Sequence, residues 1–231
     1  MQNTVTQIAN DTFLAMFTHD LKNPVNSGIF ALEMLLKGSN NNLNEFQKEI
    51  LTDVLNASKY MKNLIDNALC KFKAENGELK LNKQKNSIKN VIEQCIADTR
   101  YILNDKNQTL NFSAPKHDVI ANFDTVEIKR VIDNLISNAS KYSPKNTEIN
   151  IVLKKTHHKI YFEIQDHGCG IKLQELDKAF EKYMRLANDQ KSAGTGLGLY
   201  ITKLIIDAHG GDIKIDSKLQ KGTKISFTIP E

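Results

Sequence analysis

The sequence predicts two parts of different class. Residues 1–74 read as an α-helical hairpin that would become a four-helix bundle in a dimer. Residues 75–231 read as an α+β sandwich, with helices on one face of a mostly antiparallel sheet. Three observations predict this. Apolar residues recur every three or four positions as far as Lys73, the period of a helix face. A polar junction, "KAENGELKLNKQ" (Lys73 to Gln84), then interrupts the pattern, as domain linkers do. Beyond it, two stretches alternate apolar and polar residues about a turn, the mark of β-hairpins among helices.

The first helix is read from Leu14, Phe17, Leu21, Val25, Gly28, Leu32 and Leu35, and "KGSNNNLN" breaks it, with Gly38 suited to a C-cap. The second carries Phe46, Ile50, Val54, Ala57, Met61, Leu64 and Ala68, widened by Leu51, Leu55, Ile65 and Leu69. Two helices cannot cover so broad an apolar face. A second copy could, and so could the rest of the chain; a homodimer is the expectation. In the second part, Ile88 to Leu103, Asp124 to Tyr142 and Leu197 to Ala208 read as helices. "QTLNFSAP" and "HDVIANF" read as short strands. "EINIVLKKTHHKIYFEIQDHG" reads as a hairpin turning at Thr156–Lys159, and "DIKIDSKLQKGTKISFTIP" as a second, turning at "QKGT".

Composition excludes several classes. The 231 residues are 40% hydrophobic and 25% charged, with net charge +4: an ordinary globular balance, too weakly basic to argue for nucleic acid. No apolar run approaches the ~18 residues of a membrane span, and "MQNTVTQIAND" lacks the basic and apolar regions of a signal peptide. The expectation is a cytoplasmic chain, alone or as the soluble part of a larger, membrane-attached sensor. Cys70, Cys95 and Cys169 form no C-x-x-C pair, so they read as isolated reduced thiols. His157–His158 reads as a strand-to-strand turn before it reads as a metal site.

Three segments of the second part are chemically unusual. In "NLISNASKYSP", Asn134, Asn138 and Lys141 stand at i, i+4 and i+7 on one helix face. That face could be merely solvated, or its amide oxygens could bind a hard cation and its lysine a phosphate. In "DHGCGI", Asp166 is followed by Gly168 and Gly170; such turns are common after strands, yet they also let backbone approach a planar ligand beside an accepting carboxylate. In "GTGLGL", Gly194, Thr195, Gly196 and Gly198 precede a helix. Glycines there can simply loosen a loop, or expose N–H groups to phosphate. Between the last two lies "KLQELDKAFEKYMRLANDQKSA", which reads as a lid that Phe180 and Tyr183 could pin. No G-x-x-x-x-G-K-[ST] or HRD and DFG set is present.

Taken in order, the "FTHDLKNPVN" segment around His19, the Asn134 segment, Asp166-x-Gly168-x-Gly170, Phe180-x-x-Tyr183 and Gly194-x-Gly196-x-Gly198 resemble the H, N, first G, F and second G boxes of bacterial two-component sensor histidine kinases. The resemblance spans nearly the whole chain. It implies a dimerisation and histidine-phosphotransfer domain (1–74) and a catalytic ATP-binding domain (75–231) of the Bergerat type, shared with gyrase, heat-shock chaperones and MutL. It implies ATP and Mg²⁺ as cofactors, Asn138 as the metal ligand with Asn134 beside it, and Lys141 and Tyr142 lining the site. Asp166 would accept from the adenine amino group, Gly168 and Gly170 would make room for the base, and Ile171 and Phe180 would lie nearby. Gly194, Thr195, Gly196, Leu197, Gly198 and Leu199 would wrap the phosphates, and Arg185 could reach the γ-phosphate. The H box departs mildly from the common pattern at Asp20, Lys22 and Asn23, and the F box at Lys182; none removes a needed group.

His19 falls opposite the apolar positions on a wheel of about 100° per residue, so it should point to solvent. The resemblance then implies a protein-histidine kinase: His19 takes the γ-phosphoryl group of Mg·ATP, Asp20 holds the other ring nitrogen, and the group passes to an aspartate of a response-regulator receiver domain. Asn23, four residues on, would serve receiver dephosphorylation. Pro24 leaves the Asp20 carbonyl without its helical partner and should kink the helix. Two alternatives stand: an ATPase of the gyrase or chaperone type, against which Asn134 replaces the water-activating carboxylate, and a non-catalytic scaffold that binds a receiver.

Overall fold

The computed structural model describes residues 2–38, 43–75, 79–156, 158–184 and 196–231, with side chains from Asp20 onward, Glu75 excepted. Two compact units result, residues 1–78 and 79–231. Arg185, Gly194 and Thr195 lie outside the described residues, as do the turn around Asn40 and His157. No helix among the described residues is long and apolar enough to cross a membrane.

The first unit is a pair of long helices, α1 (Gln2–Lys37) and α2 (Glu45–Glu75). Helix α1 continues through Pro24. Helix α2 opens with a reciprocal cap: the Asn44 side chain accepts from the Gln47 N–H at 2.8 Å, and the Gln47 side chain accepts from the Asn44 N–H at 3.0 Å. Lys22 pairs with Asp66, and Lys59 with Glu33 at 2.9 Å, tying the two helices together. Leu55 and Cys70 are buried. Phe46, Ile50, Val54 and Met61, all from the apolar stripe expected on α2, stay exposed, with Phe46 at 69%. Phe30 and Met34 of α1, outside its expected stripe, are also exposed.

The second unit contains β1 (Gln84–Ser87), α3 (Ile88–Asp105), β2 (Thr109–Ser113), β3 (Ile120–Phe123), α4 (Thr125–Tyr142), β4 (Glu148–Thr156), β5 (Lys159–Gln165), α5 (Leu173–Leu176), α6 (Gly198–Ala208), β6 (Asp212–Lys218) and β7 (Gly222–Pro230). Five strands form one sheet in the order β2-β4-β5-β7-β6, parallel only between β2 and β4. Both expected hairpins form, β4–β5 pairing Thr156 with Lys159 and β7–β6 pairing Lys218 with Gly222. Alternation sends Ile149, Ile151, Leu153, Ile160, Phe162, Ile164, Phe227 and Ile229 into the core, where the Phe162 and Phe227 rings stack at 4.8 Å. Helices α3, α4 and α6 supply Ile92, Cys95, Ile128, Ile132, Leu135, Ile136, Ile201 and Ile205 from the other side. Burial, then Asp133 nearby, raises the Cys95 thiol pKa, so this cysteine is inert packing. The sequence reading missed β1, a polar strand that pairs with β3, and the single turn of α5.

A buried histidine joins the helix ends. His209 follows α6; its Nδ1–H donates to the Ile205 carbonyl at 2.8 Å, and Nε2 accepts from the Asp124 N–H at 3.1 Å. Asp124 is the N-cap of α4, its carboxylate accepting from Val126, Glu127 and Asn82 N–H groups. Burial lowers the His209 pKa below 6.5, partly offset by the Ile205 bond, with Lys83 lowering it further and Asp124 opposing. The folded chain therefore resists a proton that the unfolded chain accepts, and stability is lost as pH falls below about 6.5. His209→Ala should cost about 2 kcal/mol in urea unfolding at pH 8. The gap from the parent should narrow at pH 5.5; a constant gap would mean His209 is not held neutral.

Candidate functional site

The turn after β5 is held from both sides. Toward α4, the Cys169 N–H donates to the Tyr142 carbonyl at 3.3 Å, and a Cβ on Gly168 would stand 2.5 Å from that same oxygen. Toward the β6–β7 hairpin, the Gln220 N–H donates to the Cys169 carbonyl at 2.7 Å, and the Asp166 N–H donates to the Thr223 carbonyl at 2.9 Å. Gly170 has φ +65°, and a Cβ there would lie 2.1 Å from the Lys218 carbonyl. The Ile171 N–H donates to Ser217 Oγ at 2.9 Å.

The Asp166 carboxylate is buried at 8% exposure. Its Oδ1 accepts from the N–H groups of Gly168 at 2.8 Å and Thr223 at 3.1 Å, whereas Oδ2 takes no hydrogen bond among the described residues. Burial raises the Asp166 pKa, and the Gly168 and Thr223 bonds oppose that rise. Such an oxygen suits an N–H donor from a ligand.

Asp166 forms part of the wall of a cavity of about 280 Å³, near the lower bound for a small-molecule site. Helix α4 contributes Leu135, Asn138, Lys141 and Tyr142, the turn contributes Gly170 and Ile171, and α6 contributes Leu199. The hairpin adds Ile215, Leu219 and Ile225 as apolar floor. The sequence reading missed these three; the strand register pairs Ile215 with Ile225, and Leu219 follows in the turn, but neither says which ligand that surface meets. The Lys141 ammonium lies 3.0 Å from the Tyr142 hydroxyl. The Asn138 amide stands half-exposed on the wall.

Other expected residues stand elsewhere. Asn134 does not line the cavity: its Nδ2 donates to Thr202 Oγ1 at 2.8 Å, and its Oδ1 sits where a Cβ on Gly198 would go. It serves the α4–α6 contact. On the protein side, Gly168 leaves room for the Tyr142 carbonyl. Helix α6 begins at Gly198 with Leu197 as N-cap, which offers no side-chain acceptor. The segment expected as a lid is described to Met184. Gly196, at φ +67°, packs on the Tyr183–Met184 backbone, so the two flanks meet. Phe180 lies half-buried with Lys203 6.0 Å over its ring, while Tyr183 is exposed. His19 lies on α1 with its side chain outside description, and Asp20 and Asn23 are exposed.

Residues 9–77 match the His Kinase A (phospho-acceptor) domain family. Residues 123–231 match the "Histidine kinase-, DNA gyrase B-, and HSP90-like ATPase" family. The chain belongs to the histidine kinases. Its relatives include the sensor histidine kinase WalK of Bacillus subtilis, 31% identical across 94% of this chain and 36% of that protein. The adaptive-response sensory kinase SasA of Synechocystis is 30% identical across 95% of this chain and 59% of its own length. This histidine kinase chain thus spans about a third to three-fifths of those relatives. Among solved structures, full-length ShkA, in complex with AMPPNP, shares the fold at TM-score 0.71 over 95% of this chain and 45% of its own, at 19% identity. The catalytic domain of histidine kinase ThkA matches at TM-score 0.59 and 26% identity, over 64% of this chain and 95% of its own.

Because Asp166 keeps a buried charge, Asp166→Asn should separate binding from stability. Asparagine retains an acceptor for the Gly168 and Thr223 N–H groups without the desolvated charge. ATP affinity is expected to fall about 10- to 100-fold, while the melting temperature at pH 7 stays level or rises. The raised pKa means the charge penalty applies above it, so parent and variant should converge as pH falls toward the carboxyl range. Calorimetric titration and thermal melts check both.

Proposed function

We propose that this chain is the kinase core of a two-component sensor: it binds Mg·ATP in the second unit, phosphorylates His19, and passes the phosphoryl group to an aspartate of a receiver domain. The observation that carries the reading is Asp166, a buried carboxylate with one oxygen committed to backbone and the other without a hydrogen bond among the described residues, in the wall of a cavity that Asn138, Lys141 and Tyr142 also line. An acceptor of that kind suits an exocyclic amino group such as adenine's, and the apolar surface of Ile171, Ile215, Leu219 and Ile225 suits a planar base.

Asn138 fits the metal. Its amide is a hard neutral oxygen donor, and Mg²⁺ is ordinarily held by few protein atoms and by substrate phosphates; when bound, it would neutralise phosphate charge. Gly196, Gly198 and the first turn of α6 would receive phosphate oxygens on backbone N–H groups, with Gly194, Thr195 and Arg185 completing that wall. The His19 imidazole would attack the γ-phosphorus in line through one nitrogen, and Asp20 would hold the proton on the other. Asn23 would orient water against a phosphorylated receiver. The exposed Phe46, Ile50, Val54 and Met61 would be covered by a second copy, making a four-helix bundle.

Asn134 bears on the ATPase alternative. It has no carboxylate, and its amide is engaged with Thr202, so it cannot activate water.

Incubation with γ-labelled ATP and Mg²⁺ tests the reading. Acid-labile label is expected on the parent and absent from His19→Ala, with ATP affinity unchanged in that variant. Asn23→Ala should keep the label but slow receiver dephosphorylation. Phosphate release that continues unaltered in His19→Ala would support the ATPase instead.

A further inference from the structure

Helix α4 carries Asn138, Lys141 and Tyr142 to the cavity at its C-terminal end, where the last four carbonyls run out of partners within the helix. Each finds one beyond it. The Ala139 carbonyl accepts from the Ser143 N–H at 3.2 Å, and the Tyr142 carbonyl from the Cys169 N–H at 3.3 Å. The two between them are taken by side chains from the connection between α3 and β2. Lys106 Nζ donates to the carbonyls of Ser140 at 2.7 Å, Lys141 at 2.9 Å and Ser143 at 3.4 Å. Gln108 Nε2 donates to the carbonyls of Ser140 and Ser143 at 3.2 Å each and Pro144 at 3.0 Å. Gln108 Oε1 accepts from the Ser140 hydroxyl at 2.6 Å.

We propose that Gln108, together with Lys106, is a positioning residue of the nucleotide site: by gripping the terminal carbonyls of α4 it sets where Lys141 and Tyr142 stand, and so how tightly ATP is held. The inference rests on the nucleotide reading above. Neither residue lines the cavity, so both act through α4. Gln108 is 7% exposed and spends both ends of its amide on this one helix end. A buried primary amide used this way is a directional clamp, because carbonyls on one side and a hydroxyl on the other admit only one orientation. The backbone repeats the grip: the Asn146 N–H donates to the Lys106 carbonyl and the Thr109 N–H to the Thr147 carbonyl, both at 3.0 Å. The clamp therefore joins two adjacent connections, and the residue it holds, Lys141, already lies on the cavity wall.

The test compares the whole chain with Gln108→Met, Gln108→Glu, Lys106→Met and Lys106→Arg, each below its own melting temperature. Calorimetry gives ATP affinity; initial rates of His19 labelling give KM for ATP and kcat. Gln108→Met is expected to weaken ATP about tenfold and raise KM to match, with kcat at saturating ATP within about twofold. Gln108→Glu, which cannot donate to the carbonyls, should not rescue it. Lys106→Arg should hold near parental affinity and Lys106→Met should not. A folded Gln108→Met with parental ATP affinity overturns the proposal, as does a fall in kcat with KM unmoved. If Gln108→Met does not fold, the Lys106 pair decides: loss in methionine with retention in arginine supports the clamp, and equal affinities overturn it. A parent chain that binds no ATP defeats the nucleotide reading itself, and this proposal with it.

Discussion

The site depends on one constraint: three backbone segments approach so closely that no side chain fits between them. Gly168 lies against the Tyr142 carbonyl, Gly170 against Lys218, and Gly222 against the Asp166 carbonyl. Each contact puts a peptide where a Cβ would be, and hydrogen bonds from Cys169, Gln220 and Thr223 lock the approach. The end of α4, the turn after β5 and the β6–β7 hairpin thus become one rigid frame. Asp166 sits inside it with its charge desolvated, an energetic cost that the Gly168 and Thr223 N–H groups only partly offset. Such a carboxylate is held in a poor solvent for its charge until a donor arrives.

Stability and function are divided between polar groups of opposite kinds. Gln108, Lys106, His209 and Asp124 are employed in joining helix ends to one another and to the α3–β2 connection, and their burial is balanced by bonds. Among the described residues, Asp166 Oδ2 and the Asn138 amide take no hydrogen bond, and both residues line the cavity with Lys141 and Tyr142. Polar wall atoms that want partners beside an apolar surface have the character of a binding site. In the helical unit the unspent feature is apolar: Leu55 and Cys70 are buried, while Phe46, Ile50, Val54 and Met61 on the same helix remain open to solvent.

Much of this was legible in the sequence, for physical reasons that differ by element. The two hairpins and α4 were readable because one face of each is buried, which imposes period 2 or 3.6 on the residues. Strand β1, "QKNS", escaped because it pairs through backbone alone and buries no alternating face. Asp166 was readable as an acceptor from its place between a strand and two glycines. What those glycines make room for was not, since a missing Cβ does not name its neighbour; Gly168 accommodates a helix end. Asn134 shares a face with Asn138 on a helical wheel, yet one turn of rise carries it to Thr202 on α6. Lys106 and Gln108 were invisible because their partners lie more than thirty residues on and carry no pattern of their own.

The most direct measurement of the central claim is ATP affinity, by calorimetry, of Gly168→Ala in the otherwise unaltered chain. One methyl group would have to displace the Asp166 turn from the Tyr142 carbonyl, 2.5 Å away, while every side chain of the cavity wall stays the same. If the close backbone frame makes the site, affinity falls at least about tenfold in a protein that still folds. Parental affinity in the folded variant would contradict it, and would mean that the side chains hold nucleotide without the frame.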